Sequence, residues 1–224
     1  MKKLANYLFV LTLVVLFAVC PLNSASAQTG AYFGIWGGYT ISPDADYKNK
    51  EVSELDGNLD VQETGVFGVK FGFTPPQAKF LAFEFEFSYL NPDIDRSILF
   101  KDAVGDYIAL DNADAEMANF MFNIIGKYPD GKFHPYLGAG IGFSSVDVSG
   151  RFVANIDGVD VLSESDSDSD TSFAWQLLAG LEIDFTNNLS LDVGYRYFVT
   201  EPEFETAEID FSTSMITAGL KFKF

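Results

Sequence analysis

The alternation of side chains at the C-terminal end of the chain limits the fold more than any other feature of the sequence. From Ile216 to Phe224, apolar residues occupy every second position, and threonine, glycine or lysine stands between them. A period of two residues is typical of a β-strand with one apolar and one polar face. A strand that turns so many apolar side chains outward needs lipid around it. The ending therefore predicts a strand of a β-barrel in a membrane.

The first residues of the chain have the features of an export signal. Two lysines precede an apolar run, 8–19, that is shorter than the roughly 20 residues of a membrane-spanning helix. Small residues form a cleavage site that ends at Ala27. We therefore predict a cleaved secretory signal peptide at 1–27 and a barrel domain at 28–224. The alternatives are an uncleaved anchor helix and a lipid attached to Cys20.

Composition excludes several classes of function. His134 is the only histidine, and cleavage after Ala27 would remove the only cysteine, so neither a histidine-rich metal site nor thiol chemistry is expected. Without Lys2 and Lys3, the formal charge of −18 becomes about −20, which opposes nucleic-acid binding through a basic patch. No cofactor is predicted. Because no later stretch is apolar enough for a spanning helix, any crossing must be by strands.

Eight segments of the mature chain have strand periodicity. In the clearest one, 80–90, large apolar residues alternate with small or acidic residues around Phe85. The eight predicted strands are 31–40, 62–73, 80–90, 116–128, a strand from 135, 172–185, 189–199 and 211–224. Short turns (74–79, 129–133 and 186–188) alternate with long links (41–61, 91–114, 146–171 and 200–210).

This arrangement predicts an all-β fold, an eight-stranded antiparallel transmembrane β-barrel with long extracellular loops and short periplasmic turns. The even number of strands places both termini in the periplasm. Two long links are predicted to carry hairpins beyond the membrane. Residues 97–100 can pair with 107–110, and 152–156 can pair with 159–162 across an Asp-Gly dipeptide that favours a tight turn.

Several motifs resemble those of a known family. Besides the export signal, these are Pro-Tyr-Leu-Gly-Ala-Gly-Ile-Gly at 135–142, Asp-Val-Gly-Tyr-Arg-Tyr at 192–197 and the final Phe224. Together they resemble the small outer-membrane β-barrel domain family, which includes the OmpX type and the transmembrane part of OmpA. The resemblance covers the whole mature chain. It implies a multi-pass barrel in the outer membrane of a Gram-negative bacterium.

The resemblance also implies partners. In the family, the barrel assembly machinery reads the C-terminal strand, and the matching residues here are Ile216, Ala218, Leu220, Phe222 and Phe224. We therefore expect contacts with this machinery and with periplasmic chaperones during biogenesis. In the mature state we expect contacts with outer-membrane lipid and lipopolysaccharide, and with an extracellular ligand or surface partner.

Charged residues occupy inward positions of the predicted strands. The predicted lumen charge network comprises Lys70, Glu84, Glu86, Lys127, Glu182, Asp192 and Arg196. An eight-stranded barrel has room for little more than its own side chains, so buried charges must pair with one another. We interpret the network as a structural ion-pair core. The alternative is a narrow ion path.

Acidic residues are concentrated in the long links, which hold 24 of the 32 in the chain. The densest run, 163–170, alternates serine with the carboxylates of Glu164, Asp166, Asp168 and Asp170. Hard cations prefer such oxygen ligands, which makes the run a candidate for weak divalent-cation binding. The run lacks the glycine and terminal glutamate of an EF-hand, and a solvated loop is the preferred interpretation.

The sequence favours a non-enzymatic function. His134 follows a short turn and is therefore at the wrong end of the barrel to act as a base on outer-leaflet lipid. We predict a structural or surface-contact role in the cell envelope through the acidic extracellular loops. The alternative is a narrow channel for ions or small hydrophobic solutes, as in the OmpW type.

Overall fold

The described residues of the computed structural model are 30–49, 57–59, 61–95, 97–101, 107–156, 159–203 and 207–224. The predicted signal peptide and the Asp-Gly dipeptide at 157–158 lie outside the described residues. Among the residues described, no helix is long and apolar enough to cross a membrane.

Eleven strands occur in the described part of the chain. They are β1 (Ala31–Asn49), β2 (Gly57–Leu59), β3 (Gly65–Phe73), β4 (Leu81–Leu90), β5 (Asp93–Ile94), β6 (Ser97–Lys101), β7 (Tyr107–Lys127), β8 (Phe133–Ile156), β9 (Val159–Asp184), β10 (Leu189–Thr200) and β11 (Ala207–Lys223). Eight of them form the wall, in the order β1, β3, β4, β7, β8, β9, β10 and β11. The short strands β2, β5 and β6 pair with β1 or β7.

The wall is closed by antiparallel pairing of β11 with β1, in which Tyr32 lies opposite Lys223 and Asn49 lies opposite Ala207. Closure removes the unpaired edges of the sheet, which lipid could not hydrogen-bond. The eight predicted strands, their order and the closed antiparallel barrel are thus confirmed. We call the end with the three short connections the turn end and the opposite end the loop end.

The two faces of the wall differ as the alternation predicts. Phe85 is 67% exposed on the outer face, whereas its neighbours Glu84 and Glu86 are 0% and 4% exposed inside the barrel.

Inward glycines give space to large rings on the adjacent strand. A side chain at Gly72 would begin 2.1 Å from the Tyr32 ring, and one at Gly68 would begin 2.6 Å from the Trp36 ring. Both glycines are therefore needed for packing inside the barrel.

The wall strands β7, β8 and β9 continue farthest past the rim at the loop end, and β1 and β11, with 19 and 17 residues, also extend beyond it. The strand β9 has 26 residues, although a membrane-spanning strand needs only about 9–11. Both predicted hairpins are confirmed, since Ser97 pairs with Leu110 in β6 and β7, and Val153 pairs with Leu162 in β8 and β9.

The solvated loop preferred for 163–170 is wrong, because the backbone of this run belongs to β9. Asp170 pairs with Val146, and Asp168 pairs with Val148. Serine and aspartate disfavour strands. The adjacent strand β8 and the register set by the barrel below it override this local preference.

Replacing Phe85 by lysine tests the assignment of the outer face. A lysine at the middle of the lipid-facing band should cost about 2–4 kcal/mol of unfolding free energy, because its charge loses hydration. Urea unfolding of the protein refolded in lipid vesicles measures this loss. The control is Thr171→Lys at the exposed loop-end rim, where the expected cost is about 0–1 kcal/mol. Equal stabilities of the two variants would mean that Phe85 does not face lipid.

Candidate functional site

The charges predicted for the interior meet near the turn end of the barrel. Lys70 Nζ lies 2.5 Å from Asp192 Oδ2 and 3.7 Å from Glu84 Oε2. Lys221 Nζ lies 2.8 Å from Glu182 Oε2 and 3.4 Å from Glu84 Oε1. Glu84 therefore interacts with two lysines, and each lysine interacts with more than one carboxylate. Removing any one member would leave a buried charge without its counter-charge.

Further side chains surround this centre on the side of the short turns. Lys127 Nζ lies 3.6 Å from Glu182 Oε2, and Lys223 Nζ lies 2.6 Å from Glu182 Oε1. Two tyrosines complete the polar contacts. Tyr32 donates a hydrogen bond of 2.6 Å to Glu84, and Tyr136 donates one of 2.8 Å to Asp192.

A second layer of the network is centred on Arg196. Its guanidinium pairs with Glu86, and its Cζ lies 4.0 Å from the centroid of the Trp36 ring. Gln176 Nε2 donates to Asn123 Oδ1 at 2.8 Å and to Glu86 Oε1 at 3.3 Å. Arg196 is thus held by an ion pair on one side and a cation–π contact on the other.

All seven residues predicted for the lumen network are therefore in the barrel interior, and all of them are paired. Their formal charges balance when Lys221, Lys223 and Asp184 are included, because five basic side chains then face five carboxylates. The tyrosines were missed. Their inward positions follow from the alternation of faces along each strand. Tyr32 is two residues before Gly34 and Tyr136 is two residues before Gly138, and both glycines face inward. A tyrosine has no net charge and carries a large apolar ring beside its hydroxyl, so the residue type alone does not mark an inward position.

An apolar layer fills the lumen above Arg196, towards the loop end. Phe198 is 1% exposed, and all three methionines of the described residues are buried here. The larger members are Trp36, Val66, Leu90, Met117, Met121, Phe198 and Met215. Smaller polar residues remain in the wall at this level, where Asn119 donates to Ser88 Oγ at 3.3 Å. This apolar layer differs from the charged interior that the sequence predicts.

His134 lies at the turn end, as predicted, and it is buried. Its Nδ1 lies 2.8 Å from the Tyr128 carbonyl oxygen, and its Nε2 lies 3.1 Å from Asp184 Oδ2. Lys223 also pairs with Asp184, at 2.6 Å. Because both ring nitrogens are engaged, the imidazole joins the turn after β7 to the end of β9.

The predicted cation site is described only in part. Asp170 accepts hydrogen bonds from the Ser172 hydroxyl and, at 2.9 Å, from the Glu203 backbone N–H. The side chains of Glu164, Asp166 and Asp168 lie outside the described residues. Within the described part of the chain, no three histidine, cysteine, aspartate or glutamate residues are grouped to hold a metal ion. Cation binding by this run stays a prediction.

The residues predicted to guide assembly lie on the outer face of β11 or, in the case of Phe224, directly after this strand. Ile216 is 55% exposed and Phe224 is 45% exposed, while Lys221 and Lys223 between them point towards the interior network. The whole set is thus exposed on the lipid-facing side, with Ile216, Ala218, Leu220 and Phe222 in β11 and Phe224 directly after it. Recognition of this set by the assembly machinery stays a prediction.

Two carboxylates meet beyond the barrel rim at the loop end. Asp93 lies opposite Asp114 in the ladder between β5 and β7, and Gln62 Nε2 donates to the neighbouring Asp95 at 2.7 Å. A hydrogen bond with Asp114 raises the pKa of Asp93, and some loss of hydration and the negative charges of Asp114 and Asp95 raise it further. Asp93 therefore holds its proton to higher pH in the folded protein than in the unfolded chain.

A double-mutant cycle tests the coupling between Glu86 and Arg196. Glu86→Gln should lower the unfolding free energy by about 3–5 kcal/mol, because it leaves a buried guanidinium without a counter-charge. Adding Arg196→Met should recover part of this loss. Thr217→Val is the control, since it removes one buried hydroxyl outside the network and should cost about 1 kcal/mol. Additive effects of the two substitutions in urea unfolding would show that the pair is not coupled.

NMR titration of the Asp93 carboxyl group tests the contact at the loop end. Its midpoint should lie above the ordinary aspartate value of about 3.9. Asp114→Asn should lower this midpoint, because the shared proton is lost. Because the folded protein binds this proton more tightly than the unfolded chain does, protonation stabilises the β5–β7 pairing at low pH. This contribution disappears as the pH rises through the pKa of Asp93. Identical titrations of the two proteins would contradict the assignment.

Known proteins share this architecture. A family model described as "Outer membrane protein beta-barrel domain" matches residues 9–224. An uncharacterized protein of Brucella abortus (strain 2308) is 38% identical over 89 residues, which are 39% of this chain and 31% of that protein. The chain thus spans about a third of the length of the curated relatives it matches.

Two solved structures are also similar. Neisserial surface protein A has 18% identity and a TM-score of 0.49, with 89% of this chain and 100% of that chain covered. The outer membrane protein OprG from Pseudomonas aeruginosa has 15% identity and a TM-score of 0.49, with 88% and 99% covered. Because the family model matches nearly the entire sequence, the chain belongs to the outer membrane protein β-barrel domain family and is located in the outer membrane of a Gram-negative bacterium.

Proposed function

We propose that this protein is a non-conducting, non-enzymatic barrel that holds acidic β-hairpins at the cell surface for contact with cationic partners. The observation that carries the proposal is the filled lumen. Paired charges occupy the turn end, and an apolar layer with Phe198 and the three methionines occupies the level above them.

Two properties of the lumen oppose ion conduction. The interior charges balance, so they offer no surplus that would attract one kind of ion. An ion that reached the apolar layer would lose most of its hydration and would gain only a few neutral groups, such as those of Asn119 and Ser88, in exchange, which costs more than a paired charge does. The lumen charges are better explained as a core that fixes the relative positions of the wall strands.

The position of His134 supports a function without catalysis. The imidazole is buried at the turn end, which faces the periplasm in outer-membrane barrels. Both of its nitrogens are engaged by Tyr128 and Asp184. A general base needs a nitrogen that can reach substrate.

The loop end supports the surface role. The strands β8 and β9 have 24 and 26 residues, so more than half of each extends beyond a membrane-spanning length of about 9–11 residues. A paired hairpin holds its side chains in fixed register, unlike a solvated loop. The acidic run 163–170 belongs to this hairpin, and a negative surface attracts cationic partners over several ångströms.

Conductance in a planar bilayer tests the first part of the proposal. The refolded protein should insert without channel openings, because the filled lumen leaves no path for hydrated ions. A general porin measured in the same bilayer is the positive control. Steady openings whose ion selectivity changes in Glu84→Gln would overturn the proposal and favour the narrow channel.

Shortening the hairpin tests the second part. Replacing 150–166 by Asn-Gly joins Ser149 to Ser167, which are paired in the ladder and can accept a two-residue turn. Cells that display this variant should reach normal surface levels, because the barrel is intact, but should adhere less to a poly-lysine surface.

A matched variant separates charge from length. Glu164→Gln, Asp166→Asn and Asp168→Asn together keep the full hairpin and remove three of its negative charges. This variant should also adhere less to poly-lysine and should be unchanged on an uncharged surface. Adhesion equal to that of the unmodified protein in both variants would disprove a contact role for this hairpin.

A further inference from the structure

An apolar groove crosses the outer face of the barrel. It has a volume of about 450 Å³ and runs over β3, β4, β7, β8 and β9. One wall includes Phe87, Phe120 and Phe143, and the other includes Phe85, Phe122 and Ile141. The backbone between the two walls forms the floor, because the Glu86 and Met121 side chains point into the barrel there and Gly142 has no side chain. The groove is independent of the lumen and of the hairpins.

The register of the sheet creates this groove. Phe87, Phe120 and Phe143 are successive cross-strand partners, and so are Phe85, Phe122 and Ile141. The Phe85 and Phe122 rings lie 5.0 Å apart between centroids, as do those of Phe87 and Phe120. Such ring pairs stiffen the two walls.

The dimensions of the groove suit one extended hydrocarbon chain. Five neighbouring strands give four spacings of about 4.8 Å, which is a length of about 19 Å. An acyl chain in a bilayer spans half of a hydrocarbon core of about 30 Å. The groove volume also lies in the range of about 300–1,000 Å³ that is usual for small-molecule sites.

A second cavity, of about 550 Å³, adjoins the groove at the loop-end rim between β9 and β10. Phe173 lines both spaces and is therefore the residue at which they meet. The rim cavity is lined by Trp175 and by three acidic residues, Asp170, Glu201 and Glu203. The Glu203 backbone N–H donates to Asp170 at 2.9 Å, which fixes two of these acidic residues relative to each other.

We propose that the groove and the rim cavity together bind a cationic amphiphile with one alkyl chain, which enters from the extracellular medium. The alkyl chain lies between the two phenylalanine walls, and the ammonium head lies among the carboxylates of the rim cavity. The charge of the cavity selects a cation, and the Trp175 ring beside it adds a surface on which an ammonium group is stabilised. An anionic or neutral amphiphile of equal chain length gains only the apolar contacts.

Quenching of tryptophan fluorescence tests the proposal on the full barrel refolded in vesicles of a zwitterionic lipid. The probe is (2-bromododecyl)trimethylammonium, whose bromine lies beside the ammonium head that the proposal places next to Trp175 and quenches nearby indoles. The chain has two tryptophans, of which Trp36 is buried in the lumen and Trp175 lines the rim cavity. We expect saturable quenching that disappears in Trp175→Phe.

Three comparisons identify the site. Glu201→Gln combined with Glu203→Gln should weaken binding about fivefold, as expected for two exposed ion pairs. Glu116→Gln, which removes an exposed rim charge on β7, should leave binding unchanged. Phe120→Ala combined with Phe143→Ala should weaken binding by opening one wall of the groove.

The outcomes of this experiment separate the proposal from two simpler explanations. Quenching that rises linearly with the probe, and that is equal for 2-bromododecanoate at the same vesicle-bound amount, would mean partition into lipid and would overturn the proposal. An equal loss of binding in Glu116→Gln would mean attraction by the general surface charge and would also overturn it. Saturation together with the three expected effects would establish the site.

Discussion

Closure of the sheet between β1 and β11 is the constraint on which the rest of the structure depends. A backbone surrounded by lipid must satisfy every N–H and C=O group within the wall itself. The pairing of Tyr32 with Lys223 at one end of this ladder and of Asn49 with Ala207 at the other meets this requirement. Closure at eight strands also fixes a narrow interior, so the inward side chains must fill it completely.

The interior meets this demand in two different ways. Near the periplasmic turns, lysines and carboxylates pair so densely that Glu84 and Lys221 are nearly inaccessible to water. Above Arg196, methionines and large apolar residues pack together instead. Arg196 belongs to both regions, because it pairs with Glu86 below and lies against Trp36. Side chains on the outer face do not have to fill a closed interior, so the phenylalanines there can form the walls of a groove.

The barrel and the charged layer were predictable from the sequence because the two faces of each strand differ strongly in polarity there. The alternation of Phe85 with Glu84 and Glu86 marks both faces at once. The apolar layer was missed because Met121 stands between Phe120 and Phe122, and alternation gives no signal where both faces are apolar. The strand through 163–170 was missed for the opposite reason, since serine and aspartate make both faces polar. The groove depends on the cross-strand register, which a single sequence does not contain.

The order in which the strands are connected has a consequence for folding. The network joins residues that are far apart along the chain, since 122 residues separate Lys70 from Asp192 and 110 separate Glu86 from Arg196. Two of its members, Lys221 and Lys223, are on the strand that closes the barrel. Until β11 meets β1, these charges keep their water, and their dehydration coincides with closure. Contacts at such separations form slowly. The rate of barrel closure is therefore tied to the release of water from the ions that the finished barrel encloses.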